Sequence, residues 1–71
     1  MIQEERWIEY KKDLNRYQKT VANIIEASVK QKYEEGYFIT RPELEQIIYE
    51  NEYHNELYPM IEYLMMKYGE D

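Results

Sequence analysis

Apolar residues recur at helical spacing through the first half of the chain. One stripe alternates steps of three and four residues, the a and d positions of a heptad repeat, and consists of Trp7, Tyr10, Leu14, Tyr17, Val21, Ile24 and Ser28. A second row, which begins at Ala22, widens this face toward its C-terminal end. No proline or glycine occurs before Gly36, which suits the left-handed position that ends a helix. The pattern therefore predicts one long helix over residues 3–34.

A second helix is marked by the signals at its start. Thr40 is a good N-cap residue, and Glu43 stands three positions later, where its carboxylate can bond back to the cap. Ile39 and Leu44 flank this box at the positions of a hydrophobic staple. These signals predict a helix over residues 41–51.

A last apolar stripe predicts a third helix over residues 55–68. Its members are Leu57, Met60, Ile61, Leu64, Met65 and Tyr68, which share one helical face. Pro59 leaves the start of this helix open, because the residue before a proline resists helical geometry. Glu70 and Asp71 are expected to fray. The chain is thus predicted to be a single all-α domain, in which one long helix is packed by a short helix pair.

The charges divide unequally between the two halves of the chain. Residues 1–32 hold seven basic and five acidic residues, for a net charge of +2. Residues 33–71 hold two basic and ten acidic residues, for a net charge of −8, and the whole chain has a net charge of −6. Such acidity argues against direct binding to nucleic acid or to anionic membranes, because phosphates would be repelled. It favours a basic protein as the partner. The chain has no cysteine, no export signal and no membrane-spanning apolar run, so we expect it in the cytoplasm.

Residues that carry enzymatic chemistry are few. The only serine, Ser28, falls in the apolar stripe, and the only histidine, His54, falls in a charged turn among Glu50, Glu52 and Glu56. Histidine with carboxylates can bind a metal ion, but an exposed histidine beside glutamates is more often a solvated turn. No glycine-rich loop is present to hold a phosphate. We therefore expect no catalytic residue, no metal ion and no cofactor.

The predicted outer faces of the second and third helices combine glutamates with tyrosines. Exposed tyrosine among carboxylates is typical of protein interfaces, because the ring supplies contact area and the hydroxyl supplies a hydrogen bond. The residues expected to bind a partner are Glu43, Glu45, Tyr49, Glu50, Glu52, Tyr53, Glu56, Glu62 and Tyr63. In the alternative interpretation these faces are ordinary solvated surface, with the tyrosine rings buried against the long helix.

The predicted long helix is also a candidate for self-association. About 30 residues at the standard rise make a helix of about 45 Å, which two short helices cannot cover completely. Trp7 and Tyr10, near its start, are the residues expected to be left for a homodimer contact. The heptad stripe is therefore either the core seam or, in part, a surface that pairs with a second copy.

The second and third helices together resemble a helix-turn-helix over about thirty residues. A recognition helix reaches bases and phosphates through Arg, Lys, Asn or Gln. The third helix instead offers Glu56, Tyr58, Glu62 and Tyr63, with Lys67 near its end. We therefore expect a helix-turn-helix shape, but no DNA binding through the third helix.

In size, acidity and tyrosine content the whole chain resembles small phage-encoded host-takeover proteins. That class includes DNA mimics that block restriction enzymes, repair glycosylases or nucleoid proteins of the HU type. The resemblance implies an inhibitor that occupies the basic DNA-binding surface of a host protein, with Tyr49, Tyr53 and Tyr63 as anchors. The carboxylates that would stand for phosphates are those of Glu43, Glu45, Glu50, Glu52, Glu56 and Glu62. The alternative is a helical adaptor or dimerisation module that binds through its long N-terminal helix.

Overall fold

The structure is a computed structural model that describes residues 2–69, with side chains for residues 4–69. Glu70 and Asp71, which the sequence predicts to fray, lie outside the described residues. The helices are α1 (Ile2–Lys12), α2 (Arg16–Glu34), α3 (Arg41–Tyr49), α4 (His54–Leu57) and α5 (Met60–Tyr68). The prediction of an all-α protein is confirmed, but the described residues form five helices and not three.

The single long helix predicted over residues 3–34 is wrong, because the chain breaks between α1 and α2. Asn15 caps α2: its side chain accepts a hydrogen bond from the Gln18 amide at 2.8 Å, and the Asn15 amide donates to Gln18 Oε1 at 3.0 Å. An N-cap residue leaves helical geometry, and Asn15 has an extended backbone with φ −74° and ψ 174°. The helix therefore restarts at Arg16.

The break changes which side of α2 is buried. Its core residues are Ala22, Ile25 and Val29, members of the second apolar row. Tyr17 and Ile24, members of the heptad stripe, are 69% and 63% exposed. The heptad stripe therefore does not continue as a core seam across the break.

The break between α1 and α2 lets α1 fold back, so that it contacts both α2 and α5. Lys11 Nζ lies 2.8 Å from Glu26 Oε2, and Trp7 Nε1 donates to Glu26 Oε1 at 3.3 Å. On the other side, Lys67 Nζ of α5 lies 3.7 Å from Glu4 Oε1. These ion pairs and this hydrogen bond add to the apolar packing of α1 on α5.

The end of α2 and the start of α3 follow the local signals. Gly36 has a φ of 92°, and the amides of Gly36 and Tyr37 donate to the carbonyls of Tyr33 and Lys32 at 3.0 and 2.9 Å. This pattern is a Schellman motif, which satisfies carbonyls at a helix end. The capping box predicted at Thr40 is present as well, and the helix that it starts ends at Tyr49 instead of residue 51.

The predicted third helix over residues 55–68 is divided into α4 and α5. Tyr58 and Pro59 lie between the two helices. Proline has no amide hydrogen, so the helical hydrogen bonds cannot continue through it. The turn lets α4 pack on α2 and α3, while α5 packs against α1, α2 and α3.

One core cluster lies around α5. Met60, Ile61 and Leu64 of this helix have no exposed surface. The buried residues are Trp7, Leu14, Ala22, Ile25, Val29, Ile39, Leu44, Ile48, Leu57, Met60, Ile61, Tyr63 and Leu64. No described helix is both long enough and apolar enough to cross a membrane.

Candidate functional site

One surface combines predicted binding residues from two helices, and we call it the α3/α5 face. It consists of Arg41, Glu45, Tyr49, Tyr58 and Glu62. The first three occupy one edge of α3, because they are spaced four residues apart. Arg41 Nη2 lies 2.5 Å from Glu62 Oε1, and Arg41 Nη1 lies 3.9 Å from Glu45 Oε2. One guanidinium therefore holds two carboxylates from separate helices on the same face.

Two tyrosine rings complete the α3/α5 face. The ring centroids of Tyr49 and Tyr58 lie 6.1 Å apart, and these residues are 52% and 45% exposed. Desolvation raises the pKa of the Tyr49 hydroxyl, and the nearby Tyr58 and Glu45 raise it further. The Tyr49 hydroxyl therefore stays protonated at neutral pH and can donate a hydrogen bond to a bound protein.

Sequence reasoning missed two members of this face. Arg41 precedes Glu45 by four residues, a spacing at which opposite charges meet on a helix, so a local signal was present. Tyr58 had no such signal, because its position beside Tyr49 depends on the turn at Pro59.

Glu43 and Glu50 lie on a different side of α3. Glu43 Oε1 accepts hydrogen bonds from the Thr40 amide at 3.2 Å and from Thr40 Oγ1 at 2.7 Å, and Oε2 accepts one from the Tyr37 hydroxyl. The bond from Tyr37, followed by those from Thr40, lowers the pKa of Glu43. Glu50 accepts a hydrogen bond from Gln46 Nε2 at 3.1 Å. Glu43 therefore has a structural role in the helix cap.

Glu52, Tyr53 and Glu56 lie away from the α3/α5 face. Glu52 and Tyr53 line a shallow cleft whose other wall is the start of α2 at Arg16 and Tyr17. Tyr53 is partly buried against the core, and this burial, with Glu52 beside it, raises the pKa of its hydroxyl. The nine predicted binding residues therefore do not form one surface.

Glu56 and Tyr63 are directed toward α1. Burial raises the pKa of the Tyr10 hydroxyl, and the charge of Glu56 raises it further. Tyr63, predicted as an exposed anchor, is only 7% exposed, so that prediction is wrong. Its ring stacks on Trp7, with centroids 6.2 Å apart and planes 23° apart, and its hydroxyl accepts from Lys67 Nζ at 3.2 Å.

The prediction that Trp7 is left uncovered for a dimer contact is also wrong. Trp7 is 3% exposed and stacks on Tyr10 at 6.0 Å between centroids, while Tyr10 is itself partly buried. The reason is the break before Asn15, since it lets α1 fold back onto α5. The two rings therefore belong to the core between α1 and α5.

Within residues 2–69, no three His, Asp or Glu side chains are arranged to hold a metal ion. His54 lies beside the site, with Nδ1 at 3.1 Å from the Asn51 carbonyl oxygen and its ring 6.1 Å from that of Tyr49. No protein-family model, curated protein or solved structure matches this chain.

Proposed function

We propose that this chain is a small binding protein whose α3/α5 face engages the basic surface of another protein, in the manner of a DNA mimic. The observation that best supports this proposal is the arrangement of Glu45 and Glu62, which lie on separate helices beside two exposed tyrosine rings. Fixed carboxylates can take the place of phosphates in a basic groove, while the rings supply apolar contact and hydrogen-bond donors. The helix-turn-helix likeness of α3 and α5 stays a prediction.

Arg41 explains how the two carboxylates are held before a partner binds. Its guanidinium neutralises part of their charge and links Glu62 of α5 to the start of α3. An arginine or lysine of the partner would compete with Arg41 for the same oxygen atoms. The charge of the rest of the acidic half supports the proposal, because ten acidic residues against two basic ones would accelerate encounter with a basic protein.

The proposal is tested by reversing charge on the α3/α5 face. The double variant Glu45→Lys with Glu62→Lys is compared with Glu5→Lys plus Glu9→Lys, which makes the same charge change at exposed positions of α1. Each protein is immobilised and exposed to a bacterial lysate, and captured proteins are identified by mass spectrometry. We expect the wild type and the α1 variant to retain a basic DNA-binding protein that the α3/α5 variant loses.

Two further measurements separate mimicry from other binding. The captured protein should be released by high salt and by an excess of duplex DNA, because both compete for its basic surface. Capture that survives salt and DNA would contradict the proposal, and so would equal loss of capture in the two charge-reversal variants.

A further inference from the structure

One side of α2 carries an exposed stripe without charge, which we call the α2 stripe, and its first two residues also line the cleft beside Glu52 and Tyr53. It consists of Tyr17, Thr20, Ile24, Ala27, Ser28 and Gln31, all exposed. It extends over about 21 Å, four turns of helix, and is apolar at Tyr17 and Ile24, which are 69% and 63% exposed. Charged residues make up 34% of the chain, so an uncharged exposed stripe of this length is unusual in it.

Four members of the α2 stripe are placed symmetrically about a fifth, Ile24. Tyr17 and Gln31 lie seven residues before and after Ile24, and Thr20 and Ser28 lie four residues before and after it. A second α2 helix, placed antiparallel across Ile24, would therefore meet the same stripe in matching register. Self-complementary surfaces of this kind form two-fold interfaces between identical chains.

The charges at the ends of α2 fit the same arrangement. Arg16, the first residue, and Glu34, the last, are both exposed and lie 18 residues apart. Since 18 residues make five turns, the two side chains leave the helix on the same side. In an antiparallel pair centred near Ile24, Arg16 of one copy would lie beside Glu34 of the other.

The helix dipole gives an independent argument for this pairing. A positive charge at the N-terminus and a negative charge at the C-terminus are unfavourable within their own helix. The first turn of α2 has no acidic residue and begins with Arg16, while its last turn ends with Glu34 and also holds the favourably placed Lys32. In an antiparallel pair each of these charges lies near the opposite pole of the neighbouring helix, where it is stabilising.

We infer that the α2 stripe binds a second copy of this chain, with the two α2 helices antiparallel about Ile24. A protein with a net charge of −6 repels its own copies, and the uncharged stripe is a surface on which close approach avoids that repulsion. The stripe is small beside the area of about 800 Å² per partner in typical stable complexes. We therefore expect weak, concentration-dependent dimers. The inference does not depend on the proposed function, which uses the α3/α5 face.

Sedimentation equilibrium of the full chain over a wide concentration range tests the inference. We expect the wild type to pass from monomer to dimer as concentration rises. Ile24→Glu should weaken association by about tenfold or more, because like charges would meet at the two-fold axis. Ile8→Glu is the matched control, since Ile8 is a 48% exposed isoleucine on α1, and it should dimerise like the wild type. A wild type that stays monomeric at millimolar concentration would overturn the inference, as would an Ile24→Glu protein that dimerises normally.

Disulfide trapping tests the orientation, because the chain has no cysteine of its own. In the proposed pair, Ile24→Cys places two thiols at the axis, whereas Gln31→Cys places them about 21 Å apart along the helix, too far for a disulfide. We expect oxidation to cross-link the first variant and not the second. Cross-linking of both variants would indicate parallel helices, and cross-linking of neither would remove the contact at Ile24. Either outcome contradicts the inference.

Discussion

α2 and α3 begin with the same capping motif in different surroundings. The box formed by Asn15 and Gln18 is exposed, and within residues 4–69 its two side chains form hydrogen bonds only to each other's backbone. The box at Thr40 is partly buried, includes a bond from Tyr37, and is preceded by the buried Ile39. The motif fixes where a helix begins in both places, whereas the surroundings decide how much of the fold depends on it.

The two regions are also joined to the core by different contacts. α1, which precedes the Asn15 box, docks on α5 through stacked rings of Trp7 and Tyr63. α3, which follows the Thr40 box, docks through the aliphatic side chains of Leu44 and Ile48, both without exposed surface. Aromatic packing thus carries one region and aliphatic packing the other.

The substitution with the largest expected effect on this comparison is Trp7→Ala. Removing a buried tryptophan leaves a cavity between α1 and α5, and such changes typically cost about 3–5 kcal/mol of unfolding free energy. A domain of this length has a total stability of only about 4–10 kcal/mol. We therefore expect a large fall in the urea midpoint, followed by circular dichroism at 222 nm.

Ile8→Ala is the control for this prediction, because Ile8 is the neighbouring residue and is 48% exposed. A change at such a surface position should lie within about 0.5 kcal/mol. If Trp7→Ala were no more destabilising than Ile8→Ala, α1 would not belong to the cooperative core, and the contrast between the two regions would fail.

The same contrast explains what could be predicted from sequence. The start of α3 was found because Thr40 and Glu43 are close in the chain and a proline and two apolar residues support them. The start of α2 was missed although Asn15 and Gln18 have the same spacing. Leu14 fits the heptad pattern at this point, and a pattern of apolar spacing alone does not reveal a break.

The site was harder to predict than the helices. Glu45, Tyr49 and Glu62 were expected on an exposed face and do lie together with Arg41. Tyr63 was placed wrongly, because its burial requires α1 to fold back, which follows from the missed break. Which residues of separate helices meet is set by tertiary packing, so the grouping could not be read from local spacing.

A smaller effect should distinguish the two capping boxes directly. Replacing an N-cap residue by alanine typically lowers stability by about 0.5–2 kcal/mol. We expect the loss for Thr40→Ala to lie toward the upper end of that range. The substitution also removes the hydrogen bond from Thr40 Oγ1 to the partly buried Glu43 carboxylate, which is then held less firmly for its hydrogen bond from Tyr37. Asn15→Ala should lie toward the lower end, since water can replace the lost bonds at an exposed cap. Thermal unfolding of both variants measures the order, and a larger loss for Asn15→Ala would reverse our interpretation of the surroundings.

The smallest expected effect concerns pH and the Thr40 box. The folded-state pKa of Glu43 is lowered by the hydrogen bonds from Tyr37 and Thr40, so the unfolded chain binds a proton first as pH falls. The contribution of this carboxylate is therefore complete above the ordinary glutamate pKa of about 4.3 and is lost as pH falls through the lower folded value. Glu43→Gln keeps a residue suited to the capping box and should make the urea midpoint less dependent on pH in this acid range. Tyr37→Phe, which removes the largest cause of the lowered pKa, should reduce that dependence in part. If the urea midpoint of Glu43→Gln depended on pH as strongly as that of the wild type, the Thr40 box would be no more sensitive to protonation than the neutral box at Asn15.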